Sequence, residues 1–281
     1  MKPEEGNDVT DAAHGNTNIG VDCGASLVKV AIRDPAGTEY RVWPSSQLEQ
    51  VVEALAGLSP RAVALTGGGS PSLAALLSGE IQLVGEFDAW AAGARAMLAE
   101  VEDEPGGPLL IVSVGTGTSA ILAQDGKVER IGGTALGGGT LLGLGALLAD
   151  ADCFEQVTAL AAKGDRHRVD LLISEIYEQV SGNFTAASFG KPDLRKGARP
   201  SPEDLCHAVV WLVGENVALI AAAHAAGRGV KRIAFGGSTL RENPALREVI
   251  DWMSRIVGRE PVFLEPAEYV GAVGCLELLA S

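Results

Sequence analysis

The sequence predicts an α/β fold of two similar lobes with a central cleft, on three observations. Strand-like and helix-like stretches alternate along its 281 residues. Each half opens with a strand, a small-residue turn and a hairpin, GVDCGASLVKVAI and IVSVGTGTSAIL, alike in pattern rather than identity. Glycine clusters follow most of the strands, as they do where a chain leaves a sheet to bind or turn.

The elements follow in order. MKPEEGNDVTDAAHGNT is polar and acidic, without the apolar core of a signal peptide, and reads as a flexible tail, 1–17. NIGVDCG, LVKVAIRD and TEYRVWP read as strands, rich in Val and Ile and broken by Gly. QLEQVVEALAGL has the apolar spacing of a helix. RAVALTGGG is a strand stopped by glycines, PSLAALLSG a short helix with Pro at its start, and EFDAWAAGARAMLAEVED a longer amphipathic helix. The loop VEDEPGGP then suggests a boundary between a lobe at 18–105 and a second at 106–281. In the second lobe LLIVSVGTG is a strand, and SAILAQDGKVERIGG is a hairpin around Asp125-Gly126. Helical stretches ending in the long PEDLCHAVVWLVGENVALIAAAHAAG lead to the strand KRIAFGGS, the helix NPALREVIDWMSRI, the strand PVFLE and the final helix YVGAVGCLELL.

Composition narrows the functions. The chain is 47% hydrophobic and 21% charged, with a net charge of -14. A nucleic-acid-binding surface is normally basic, so that class is set aside. An anionic ligand would need a site built locally from a few cations and backbone N–H groups. No run reaches eighteen consecutive apolar residues, so no membrane span is expected. Four separated cysteines without a C-x-x-C pair point to reduced thiols and a cytoplasmic protein. The four histidines show no metal-ligand spacing.

Five turns carry small residues: Asp22-Cys23-Gly24-Ala25-Ser26, Gly67-Gly68-Gly69, Gly115-Thr116-Gly117-Thr118-Ser119, Gly137-Gly138-Gly139 and Gly236-Gly237-Ser238. Glycine lets backbone N–H groups converge on an anion, and a following helix adds its positive end. Tight turning alone would also account for any one of them. Neither the Walker pattern nor a G-x-G-x-x-G opening a helix is present. Single residues leave similar choices. Asp22 could organise a metal or close its own turn. Lys29 could reach a phosphate or be solvated. Glu86 could act as a base or complement a helix dipole. Arg130 could bind an anion or lie on the surface.

GVDCGASLVK resembles the first phosphate-binding turn of the actin-like and sugar-kinase superfamily. ALTGGG, EFDAWAAG, VGTGTS, RIGGTALGGGTLLGLGALL, AAKGDRHRVDLLISEIY, AASFGK and EYVGAVGCLELL stand in the order of type II pantothenate kinases. The resemblance covers nearly the whole chain after the tail, and Arg130–Leu148 is its most discriminating part. Ala25 departs from it, where relatives commonly have glycine, as does Thr116, where they often have serine.

The resemblance implies an actin-like, ribonuclease H-like ATPase fold and an enzyme that phosphorylates pantothenate from ATP, the first step of coenzyme A biosynthesis. It places the catalytic base at Glu86 and charge stabilisation at Arg130. Mg²⁺ is organised by Asp22. Gly24, Ser26, Lys29, Thr134, Gly137, Gly138, Gly139, Gly236 and Gly237 hold the nucleotide, the three central glycines through bare backbone against the phosphates. Thr116, Gly117 and Ser119 join Glu86 and Arg130 on the substrate, and Tyr177 and Ala186 approach the substrate of a neighbouring subunit, which implies a homodimer with dimerisation helices in the second lobe. The alternatives are an N-acetylhexosamine-type sugar kinase of the same superfamily and a non-catalytic nucleotide-binding regulator.

Overall fold

In the computed structural model, residues 17–100, 107–177, 179 and 182–280 are described. Nearly all of the acidic tail lies outside them. The chain divides into two units, Met1–Pro105 with Tyr269–Ser281, and Gly106–Glu268.

The first unit is built on β1 (Asn18–Cys23), β2 (Leu27–Asp34), β3 (Gly37–Pro44), β4 (Ala62–Thr66) and β5 (Ile81–Leu83), in the sheet order β3-β2-β1-β4-β5. β1, β2 and β3 form an antiparallel meander, while β4 and β5 join parallel to β1. β1 is buried on both faces, as strands sandwiched by helices are. On one face Ile19, Val21, Val28 and Val30 pack with α1 (Leu48–Ala56), through Val51 and Leu55, and with α2 (Ser70–Ala74), through Leu73. On the other face lie α3 (Glu86–Ala99) and the C-terminal helix Val270–Ala280.

The second unit repeats this plan with β6 (Leu109–Val114), β7 (Thr118–Gln124), β8 (Lys127–Thr134), β11 (Arg232–Gly236) and β12 (Glu260–Phe263), in the order β12-β11-β6-β7-β8. The pairing senses match strand for strand, so the weak repeat in the sequence reflects a repeated topology. Asp125 and Gly126 both take positive φ in the β7–β8 turn, the geometry for which Asp-Gly is suited. The helices are α4 (Gly138–Ala149), α5 (Phe154–Ala161), α6 (Pro192–Arg195), α7 (Pro202–Ala226) and α8 (Pro244–Ile256), and a two-stranded sheet pairs β9 (Leu171–Leu172) with β10 (Thr185–Ala187). Ser201 caps α7 by accepting from the Asp204 N–H at 3.2 Å. Among the described residues α7 has the length and hydropathy to cross a membrane, but 67% of its apolar window is buried, and Val209, Val213, Val217 and Ala221 sit in the core of the unit.

The sequence assigned 106–281 to the second lobe. The structure corrects this at the C-terminus, where α9 (Val270–Ala280) joins the first unit. Small residues explain the attachment. A Cβ on Gly20 of β1 would stand 2.0 Å from the Ala272 carbonyl oxygen, and one on Gly93 of α3 would stand 1.9 Å from that of Val270. Only bare backbone lets α9 press so close to β1 and α3.

Candidate functional site

In the first unit the sheet register brings the predicted residues to one edge. Asp22 at the end of β1 pairs with Thr66 at the end of β4, and β5 continues the parallel series. The hydroxyl of Thr66 donates to the Val84 carbonyl at 3.0 Å, and the Val84 N–H donates to Leu65 at 2.9 Å. These bonds fix the entry to α3, whose first residue is Glu86. Asp22 thus lies at the carboxyl end of β1 and Glu86 just past that of β5, where open α/β sheets bind ligands. Glu86 is exposed. Asp88 folds back over the helix cap, its Oδ2 lying 2.5 Å from where a Cβ on Gly85 would stand.

Asp22 and Lys29 are both buried and form an ion pair at 3.0 Å. They face each other across the β1–β2 ladder. Lys29 is therefore no solvated lysine. Gly24 makes room for it, since a Cβ there would stand 2.8 Å from Nζ. The Ser45 hydroxyl donates to the Gly24 carbonyl at 2.8 Å and its N–H to Ser26, a clip over the turn that the sequence did not reveal. The Gly67 turn packs on Asp22 and Cys23. Burial, then the charge of Asp22, pushes the Cys23 thiol up to about 12, and the same two causes raise Cys275 to about 12. Neither supplies a thiolate at neutral pH.

In the second unit three of the small-residue turns converge. The Gly138 N–H donates to the Gly115 carbonyl at 2.8 Å and the Gly139 N–H to that of Thr116 at 2.9 Å. The Thr239 hydroxyl also donates to Gly115, at 2.8 Å, from the turn after Gly236-Gly237. The backbone of Gly237, at φ +118, passes Val114 so closely that a Cβ would meet its carbonyl oxygen at 2.3 Å.

The amides of Gly24, Gly138, Gly139 and Gly237 all donate to carbonyls of the protein itself. Glycine is required at 137–139 because the β6–β7 turn lies directly on the head of α4. A Cβ on Gly137 would stand 2.7 Å from the carbonyl oxygens of Gly115 and Thr116. The site presents the positive end of α4, with Thr116 on an exposed turn beside it. The Thr134 hydroxyl is turned inward and accepts from the Leu136 N–H at 3.2 Å.

Arg130 and Ser119 come together, with Arg130 Nε donating to Ser119 Oγ at 3.2 Å. A bulge between the pairs Ala120↔Gly132 and Ile121↔Arg130 breaks the β7–β8 register here. Gly133 leaves room for the guanidinium and Gly132 for His224 of α7. Tyr177 and Ala186 lie on a different piece. Tyr177 follows the turn after β9, and Ala186 is the extra residue of the irregular β10–β9 pairing. Both are exposed. Among the described residues no group of three His, Cys, Asp or Glu side chains is arranged to hold a metal ion. One carboxylate, Asp22, suits Mg²⁺, which keeps most of its waters and takes its remaining ligands from phosphates.

Known proteins resemble this chain in sequence and in fold. The family model described as Fumble matches residues 45–277. The type II pantothenate kinase of Oceanobacillus iheyensis is 35% identical over 92% of this chain and 98% of its own. That of Staphylococcus haemolyticus is 31% identical over 92% and 99%. Among solved structures, component A of the (R)-2-hydroxyglutaryl-CoA dehydratase of Acidaminococcus fermentans superposes with a TM-score of 0.62 at 18% identity, covering 94% of this chain and 97% of its own. A ROK family glucokinase from Streptomyces griseus, in complex with glucose and AMPPNP, gives 0.59 at 14% identity, covering 93% and 98%. The structural matches establish the two-lobed actin-like ATPase fold, and the sequence matches over almost the full length go further: the chain belongs to the type II pantothenate kinase family.

Proposed function

We propose that this chain transfers the γ-phosphoryl group of ATP to the primary hydroxyl of pantothenate, giving 4'-phosphopantothenate at the start of coenzyme A biosynthesis. The observation that carries the reading is the 31% and 35% identity to type II pantothenate kinases across 92% of the chain. Phosphoryl transfer demands alignment and charge neutralisation rather than covalent chemistry. Glu86 accepts the proton of the attacking hydroxyl. Arg130, steadied by Ser119, offsets charge on the transferred group and holds the acceptor together with Thr116 and Gly117. Asp22 would hold Mg²⁺, which would supply charge neutralisation on the phosphates, while Lys29 keeps that carboxylate in place. Ser26, Thr134, the head of α4 and the Gly236-Gly237 turn receive the nucleotide. Four free cysteines support a reducing compartment, the cytoplasm. The test is ADP release with pantothenate compared with glucose or N-acetylglucosamine. Release with pantothenate alone supports the reading, and release with the sugar alone overturns it.

The working form is a homodimer. α4 is apolar all round, and Leu142, Leu147 and Leu148 are exposed on it, Leu147 to 81%. Such a face on a helix asks for a partner. Leu147→Glu should halve the mass measured by light scattering, and an unchanged mass would remove α4 from the interface.

A further inference from the structure

The second unit buries charges that phosphoryl transfer does not use. Arg166 is 2% exposed, Asp170 0% and Glu215 6%. Arg166 Nη1 donates to Thr185 Oγ1 at 2.6 Å and to Asp170 Oδ2 at 3.3 Å, while Nη2 donates to the Asn183 carbonyl. The other oxygen of Asp170 accepts from the Phe189 N–H at 2.8 Å. The Glu215 carboxylate, from α7, accepts from the hydroxyl and N–H of Thr185, and its Oε1 is buried without a partner among the described residues. The guanidinium lies over the Trp211 ring of α7, its Cζ 3.6 Å from the ring centre, and Asp165 adds to its charged surroundings. Burial pushes the carboxyls of Asp170 and Glu215 up and holds the Arg166 guanidinium below its usual range.

So buried a cluster contributes little to stability, because apolar side chains of the same volume would serve as well. What it supplies is one fixed conformation. The guanidinium and its counterion grip the chain at 183, 185 and 189, on both sides of β10. The β9 side is tied separately, since Glu175 accepts from the Leu172 N–H at 3.0 Å and from Lys191 Nζ, and the Lys191 N–H donates to Val169. The piece held in this way carries exposed apolar side chains, Ile176 at 49% and Tyr177 at 58%, with Ala186 on the bulge beside its anchors.

We propose that Arg166 is a positioning residue, which with Asp170 and Glu215 fixes the 183–189 segment around β10 so that Ala186 and Tyr177 meet the pantothenate bound by a neighbouring subunit. This rests on the kinase reading above. The geometry asks for arginine, since a lysine has no planar fork to span Asn183 and Thr185 together.

The experiment uses the full chain with Thr185→Val, which keeps the shape and removes the bridging hydroxyl, and with Arg166→Lys. Hydrogen–deuterium exchange of peptides covering 183–189 is measured beside steady-state kinetics. The expected result is faster exchange there in both variants. The KM for pantothenate rises roughly tenfold, the scale of one lost hydrogen bond, while the KM for ATP and kcat stay within about twofold. Faster exchange with an unchanged pantothenate KM would overturn the positioning role. Unchanged exchange in both variants would overturn the strut. Absence of pantothenate turnover in the wild type counts against the kinase reading alone, and the exchange data then decide the strut by themselves.

Discussion

Glu86→Gln is expected to lower turnover by about 10²- to 10⁴-fold, the range a positioned general base contributes. The amide keeps the size and polarity of the side chain and cannot take the proton of the attacking hydroxyl. Glu86 is exposed at the first position of α3, so folding should be nearly unaffected. ATP should still raise the melting temperature of the variant as it does that of the wild type. This outcome separates the base from a carboxylate that merely complements the helix end, whose loss costs a few tenths to 1 kcal/mol of stability and leaves turnover alone. The measurement is single-turnover phosphorylation of pantothenate, paired with an ATP-dependent thermal shift. Turnover near the wild-type level would remove Glu86 from the proton transfer and turn attention to Asp88, two residues on.

The second large effect is structural. Gly274→Ala should lower the melting temperature by about 5 °C or more, or leave the protein insoluble. A Cβ at 274 would stand 1.7 Å from the carbonyl oxygen of Ala89 and 2.9 Å from the amide nitrogen of Gly93. Both are backbone atoms of α3, so relief requires the two helices to separate. Overpacking of this kind costs about 1–3 kcal/mol and sometimes more. The gain from replacing a helical glycine by alanine is at most about 1 kcal/mol, so the clash prevails. At this chain length roughly 2–4 °C accompanies each kcal/mol. Turnover should fall too, because α9 also backs Asp22, where a Cβ on Gly271 would lie 3.0 Å from the carboxylate. Calorimetry of the variant checks this, and an unchanged or raised melting temperature would contradict the packing described here.

Much of the fold was legible because strands and turns are local. The Val- and Ile-rich runs, the Asp-Gly hairpin and the repeated openings all correspond to elements where the sequence puts them. The allegiance of α9 was not legible. An apolar surface all round tells that a helix is buried, but not against which unit. The glycines at 137–139 were read as a demand for bare backbone, but the surface they press on was not legible. Their neighbour is the Gly115 turn, more than twenty residues away in the chain, and nothing local announces it. The Arg166 cluster escaped notice for the same reason, since Glu215 and Thr185 are distant in sequence and the two arginines of GDRHRVD stand among charges typical of a surface. Asp22 and Lys29 were singled out, but only the β1–β2 register joins them as a buried pair.

The central claim is that this chain phosphorylates pantothenate. Incubating the purified protein with ATP, Mg²⁺ and pantothenate, and following the product by ³¹P NMR and mass spectrometry, tests it most directly. The account predicts a phosphomonoester on the primary hydroxyl of pantothenate, formed in equal amount with ADP. ADP release at the same rate with and without pantothenate, and no phosphorylated pantothenate, would contradict it.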